Sequence, residues 1–355
     1  MLNPTQEYPP LVLMLHSGRA LRLGTIFLAT AILAMISAGF LPVASASRPV
    51  SPPNSGPTAA SSPPATFAAS MVYDAKDGYT ILFGGLNSHG TPQNDTWVRM
   101  NGTWHQLHPK VSPPARGYAS IAYDAKDGYV VLFGGQGVVF LLNDTWRFSA
   151  GHWASLAPSH APKSRSGAAV AYDGRDGHVI LFGGQGVYGI LGDTWVFSGG
   201  QWSRLGGLSP VPPAREYASS AYDPQAGYVV MFGGQSRGGF LNDTWTFASG
   251  TWSNLTAAQA PPVRKCAGLA YDSKIGEFVL FGGESFRAAV IVLGDTWTLT
   301  GGLWSRASPP VHPLNRLAPA LDYDGPGGTV LLFGGDNVHV LNDTWQFNGA
   351  TWTKV

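Results

Sequence analysis

The sequence predicts an all-β propeller of six four-stranded antiparallel blades, and three observations predict it. One unit of about 50 residues recurs six times. Each copy carries Tyr-Asp (at Tyr73, Tyr123, Tyr172, Tyr222, Tyr271 and Tyr323), then Phe-Gly-Gly (from Phe83, Phe133, Phe182, Phe232, Phe281 and Phe333). Asp-Thr-Trp follows, ending at Trp97, Trp146, Trp195, Trp245, Trp297 and Trp345. Secondly, another tryptophan closes each copy, at Trp104, Trp153, Trp202, Trp252, Trp304 and Trp352, so all twelve tryptophans fall two to a unit. Thirdly, Gly and Pro make about a fifth of the 355 residues and charged residues only 12%. That is too little Lys and Glu for a large helical protein, whereas 44% hydrophobic residues supply a core and exclude global disorder.

Taken in order, residues 1–22 read as a cytoplasmic or n-region segment, and 23–46 as a signal peptide or membrane anchor. The run from Leu23 to Leu41 is 19 uncharged residues, about 28 Å as a helix and long enough to cross a bilayer. Arg19 and Arg22 precede it; Pro42 and the small-x-small pattern Ala44-Ser45-Ala46 follow. The length favours an anchor and the small-residue pattern favours cleavage; Met14 would give a signal peptide an ordinary short n-region. Either way the body is expected outside the cell, secreted or anchored at its surface. Residues 47–64, rich in Pro, Ser and Ala with no apolar period, read as an extended tether.

The propeller is expected over 65–355, with blades at about 65–110, 111–159, 160–209, 210–258, 259–310 and 311–355. In each, a first strand rich in Ala, Ser and Gly, such as Tyr118–Tyr123, suits crowding around a narrow axis. Asp-Gly, as at Asp127-Gly128, turns it back. The second strand, such as Tyr129–Phe133, is apolar throughout, so both faces should be buried. It ends at Gly-Gly, where the backbone takes positive φ or a neighbour approaches closely. A loop leads to Asp-Thr-Trp on the third strand, and the closing tryptophan sits on the fourth.

These residues resemble the kelch-repeat propellers, including the central propeller of galactose-oxidase-like enzymes. The resemblance spans Ala65–Val355 and rests on Gly-Gly after an apolar strand, the later Trp, and an Arg opening the first strand at Arg116, Arg165, Arg215, Arg264 and Arg316. Thr66 stands where the first unit would have that Arg, and the last unit supplies its own fourth strand, whereas kelch propellers commonly close by exchanging a strand between termini. How the last blade meets the first is left open. The resemblance implies the scaffold without the copper site: Cys266, the one cysteine, is expected in a first strand without the tyrosine and paired histidines that such a site needs.

Residues that recur in every blade serve the blade, so function is expected where the copies disagree. Loops after the second and fourth strands share one face, and those after the second differ in every blade (86–92, 138–142, 187–191, 236–240, 285–293 and 337–340). Immediately after Gly-Gly stand Leu86, Gln136, Gln185, Gln235, Glu284 and Asp336. Next to the arginine position stand Phe67, Gly117, Ser166, Glu216, Lys265 and Leu317, followed in two blades by Tyr118 and Tyr217. The five arginines read either as links within the scaffold or as a cationic ring at the mouth, where the resemblance implies contact with acidic ligands. Glutamines, tyrosines and arginines around a shallow mouth suit a protein or carbohydrate ligand better than an apolar metabolite. Glu216, Glu284 and Asp336 offer carboxylates for hydrolysis, the alternative reading, and a passive envelope scaffold is the third.

The net charge is +1, and beyond Arg19, Arg22 and Glu7 the chain holds 20 basic and 20 acidic residues, which excludes the basic field that nucleic acid needs. No cofactor or metal is expected: G-x-G-x-x-G at 184–189 precedes a strand rather than a helix, and His89, His108, His160, His312 and His339 share no ligand spacing. Six N-x-[ST] sequons begin at Asn94, Asn101, Asn143, Asn242, Asn254 and Asn342, four of them inside the repeated Asn-Asp-Thr. The propeller is expected to be monomeric, with a membrane contact through 23–41 if the leader is kept.

Overall fold

A computed structural model of the chain describes residues 62–255, 259–286 and 289–355. The leader and nearly all of the tether lie outside the described residues. Among those described there is no helix, and so none long and apolar enough to cross a membrane.

Six antiparallel sheets follow one another along the chain, each with four strands from contiguous sequence in strand order, the third joined also by the two-residue strand Arg165–Ser166. The first comprises Ser70–Asp74, Tyr79–Phe83, Thr96–Met100 and Thr103–Leu107; the last comprises Ala320–Asp324, Thr329–Phe333, Thr344–Phe347 and Trp352–Lys354. The innermost strand of each sheet neighbours those on either side, and Ser70–Asp74 neighbours Ala320–Asp324, so the six blades close a ring. Small side chains permit this crowding, and hydroxyls tie it: Ser70 Oγ donates to the Ala119 carbonyl at 2.9 Å and Ser120 Oγ to that of Ala168 at 3.1 Å. The second strands are buried on both faces because a blade packs on each side.

The recurring residues hold this ring together. In five blades the Tyr-Asp aspartate accepts two backbone N–H groups of its own turn on Oδ1, as Asp74 does from Lys76 and Asp77 at 3.0 and 3.1 Å. Each closing tryptophan donates Nε1–H to the threonine of the preceding blade's Asp-Thr-Trp: Trp153 to Thr96, Trp202 to Thr145, Trp252 to Thr194, Trp304 to Thr244 and Trp352 to Thr296, at 2.9–3.0 Å. Trp104 completes the circle on Thr344 at 3.1 Å.

The seam therefore closes without strand exchange; it keeps the backbone bond that joins other blades and adds two contacts of its own. Thr66 N–H reaches the Leu341 carbonyl at 3.0 Å, as Arg215 N–H reaches that of Leu191 at 3.1 Å, and Asp322 Oδ2 accepts the Tyr73 N–H at 2.7 Å. Arg99 stands where the second, third, fourth and sixth blades place Phe148, Phe197, Phe247 and Phe347, and it pairs with Asp324 at 2.8 Å.

Two expectations are refined. Several variable segments read as loops are short hairpins that continue the blade beyond Gly-Gly: Tyr129–Gln136 with Leu141–Ser149, His178–Gly186 with Gly189–Ser198, and smaller ladders in the last three blades. The register slips at Gly-Gly, where both reasons for glycine apply. Gly134 and Gly135 have φ of 62° and 106°, and a Cβ would lie 2.7 Å from the Arg165 carbonyl oxygen and 2.9 Å from that of Gly117. The first strand also begins later than expected, at Ser120 rather than Tyr118.

Candidate ligand-binding face

Strand alternation puts the extended hairpins and the connections between blades on one side. There the two rows of unlike residues pair directly. Phe67 bridges Leu86, Gly117 Gln136, Ser166 Gln185, Glu216 Gln235, Lys265 Glu284, and Leu317 Asp336, one pair per blade around the mouth. The mouth is lopsided. Phe67, Leu86 and Leu317 make it apolar where the first and last blades meet. On the fourth and fifth blades Lys265 pairs with Glu284 at 3.1 Å and donates to Gln235 at 2.8 Å, with its ammonium 5.6 Å from the Tyr217 ring centre and 5.1 Å from that of Phe240. Burial raises the Glu216 carboxyl above its ordinary value, and the Lys265 charge only partly offsets it.

Beneath the mouth the backbone makes a collar. Ala68, Tyr118, Gly167, Tyr217, Cys266 and Ala318 all take φ between 48° and 60°. Each donates its N–H to the carbonyl of its counterpart one blade earlier, from Tyr118 onto Ala68 round to Ala68 onto Ala318, at 2.7–3.0 Å. Five of the six are not glycine, at a cost of roughly 1–2 kcal/mol each in this conformation, and the closed hydrogen-bond circle holds them there. Gly167 is glycine because the Tyr217 ring lies across it, 2.3 Å from where a Cβ would stand. Tyr217 then meets Tyr118 edge-on at 4.9 Å. Burial pushes the Tyr217 hydroxyl and the Cys266 thiol each up to about 12, so both stay neutral. Cys266 thus departs from expectation: it precedes the first strand and shares the collar with two tyrosines.

The five arginines lie inside, at most 1% exposed. Arg116 forks onto Asp144 with two bonds of 2.7 Å, and two further N–H donors reach the Gly134 and Pro114 carbonyls. Arg165, Arg215, Arg264 and Arg316 repeat the pattern on Asp193, Asp243, Asp295 and Asp343. Burial raises these carboxyls, but the arginine hydrogen bonds and charge, with the Nε1–H of the adjoining tryptophan, outweigh it and hold them below the ordinary value. The first blade shows the consequence of Thr66: Asp95 instead takes Gln106 Nε2–H at 3.0 Å, and Trp97 Nε1 is left without a partner.

Beyond the mouth the hairpins raise an apolar crown. Phe140 is 76% exposed and Tyr188 98%, with Val138, Val139, Val187, Phe286, Val290, Ile291 and Val338 also exposed. On the opposite face the only large apolar residues exposed, among those described, are Ile275 and Leu303. Between the hairpins of the second to fourth blades lies a cleft of about 560 Å³, lined by Val187, Tyr188 and Ile190 together with Lys163 and Arg237.

The opposite face opens into a funnel of about 510 Å³ lined by the six Tyr-Asp tyrosines and by Asp322. Burial raises the Asp322 carboxyl to about 6 against the N–H bonds from Tyr73 and Tyr323. Its place was legible: the residue before the repeated tyrosine is Val72, Ala122, Ala171, Ala221 and Ala270 in the other blades, and only here a carboxylate.

No family model matches this chain, and no curated protein matches it.

Proposed function

We propose that this chain is a kelch-type propeller acting as a binding module, held outside the cell by its amino-terminal segment and recognising a protein or glycan through the crown and cleft of the variable face. The observation that carries this reading is the asymmetry between faces: nine large apolar side chains stand exposed on the hairpins of one face, beside a cleft bearing two cations, over blades whose recurring residues are spent on one another. Exposed apolar residues gathered in this way mark interaction surfaces, and Lys163 and Arg237 favour an acidic partner. Gln136, Gln185 and Asp336 belong to the mouth that such a ligand would cover, and Tyr118 and Tyr217 to the collar beneath it. The test is to probe the full-length chain on glycan and peptide arrays beside the double variant Phe140→Ser with Tyr188→Ser and the single variant Arg237→Ala. Loss of signal in both supports the reading, with a drop of tenfold or more expected for the double variant. Unchanged signal in both contradicts it, and silence of the wild-type chain on every array favours a passive scaffold.

Hydrolysis of a sugar is a second reading because the mouth carries two carboxyls on adjoining blades: Glu216, raised above its ordinary value by burial, and Glu284, paired with Lys265. Release of reducing sugar that Glu216→Gln abolishes would establish it.

A further inference from the structure

We infer that Asp173, Asp176 and His178, at the first turn of the third blade, form a binding site for a divalent transition-metal ion. Their ligand atoms lie within 4.8 Å of one another. Asp173 and His178 face each other across the turn in register, and Asp176 lies between them in sequence.

The sister blades show what these positions do without an imidazole. In the first blade the Tyr79 hydroxyl donates to Asp77 Oδ2 at 3.0 Å, and the same oxygen accepts the Ala150 N–H at 2.8 Å from the next blade. In the second, Asp127 Oδ2 takes the Tyr129 hydroxyl at 3.0 Å and the Gly199 N–H at 3.1 Å. In the third blade histidine replaces the tyrosine, and among the described residues no hydrogen bond reaches the Asp176 carboxylate. His178 Nε2 and Asp173 Oδ2 are both buried without a partner, and Asp173 is fully buried. Asp74, Asp124 and Asp272 also leave Oδ2 unpartnered, so that oxygen alone marks nothing. What sets the third blade apart is a second orphaned atom, the imidazole nitrogen, and a carboxylate released from both bonds that hold its counterparts.

The donor set chooses the ion. Two carboxylate oxygens and one imidazole nitrogen suit Zn²⁺ or Mn²⁺, whereas Ca²⁺ and Mg²⁺ prefer oxygen alone. Asp173 is already oriented by the N–H groups of Arg175 and Asp176 on its Oδ1, at 3.0 and 3.3 Å, as outer bonds orient a ligating carboxylate. Three protein ligands leave a further position open on the solvent side, where Asp176 is exposed.

The experiment strips the full-length chain with a chelator, then follows thermal unfolding and calorimetric titration with Zn²⁺. His178→Tyr is the informative variant because it installs the residue that the first two blades carry; its metal-free unfolding midpoint verifies that it folds. Asp176→Ala, at an exposed position, is the second. The expected result is one Zn²⁺ per chain and a midpoint raised by about 2 °C or more at a hundredfold excess over Kd. Binding should weaken at least tenfold in both variants. Absence of any shift in the wild-type chain, an undiminished shift in both variants, or an equal shift with Ca²⁺ would overturn the assignment.

Discussion

At Arg215 the backbone and the side chain serve different blades. Its N–H and carbonyl bond to Leu191 and Gly184 of the third blade, while its guanidinium grips Asp243 and the Gly233 carbonyl of the fourth. Four of its five N–H donors are occupied, so Arg215→Met strands a half-buried carboxylate and two carbonyls and is expected to cost about 2–4 kcal/mol of unfolding free energy, read by denaturant titration. The sequence displayed these arginines, but not whether they line the mouth or the interior. Arginine and partner are 28 residues apart in this blade, and only the folded register brings them together. Asp322 was equally visible as a single departure from a small apolar position, and its meaning needed the ring. It became a seam contact only once Tyr73 was placed beside it, 249 residues earlier in the chain.

At the scale of strands and turns, the repeat fixed the number and order of elements because each is marked by a residue with a local job: aspartate for the turn, Gly-Gly for the bulge, tryptophan for the face between blades. Thr194→Val tests the last of these. It keeps the shape of a strand residue but leaves the buried Trp252 N–H without an acceptor, so a loss of about 1–3 kcal/mol is expected, with the fold retained by circular dichroism. The variable hairpins were harder to read. Their strands are as short as two residues, as at Asp336–Asn337, and too brief for an alternating pattern. The collar was invisible for a different reason. Five of its six left-handed residues are not glycine, and their conformation is imposed by neighbours around the axis rather than by local preference.

For the molecule as a whole, two sets of carboxylates give opposite pH dependences. Asp322 and Asp74 titrate near 6 in the folded chain because burial penalises their charge; that penalty is present above about 6 and is relieved as pH falls toward the ordinary 3.8. The five arginine-paired aspartates titrate below 3.8, so their contribution is complete above it and is lost as pH falls through their folded values. The unfolding midpoint should therefore be level from pH 8 to about 6, climb to a maximum near 4 and drop below it. Asp322→Asn should flatten the climb, and a thermal scan across pH checks both. This dependence belongs to the ring, since Asp322 links the last blade to the first.

The repeated residues build the ring, and in the proposed function the residues that differ do the binding. The most direct test measures unfolding free energy and array affinity together in Arg215→Met and in the Phe140→Ser, Tyr188→Ser pair, at a temperature where all remain folded. The expected result is a double dissociation: the arginine variant loses stability with affinity intact, and the crown variant loses affinity with stability intact. An arginine variant that loses the ligand while still folded, or a crown variant that keeps it, would contradict this division.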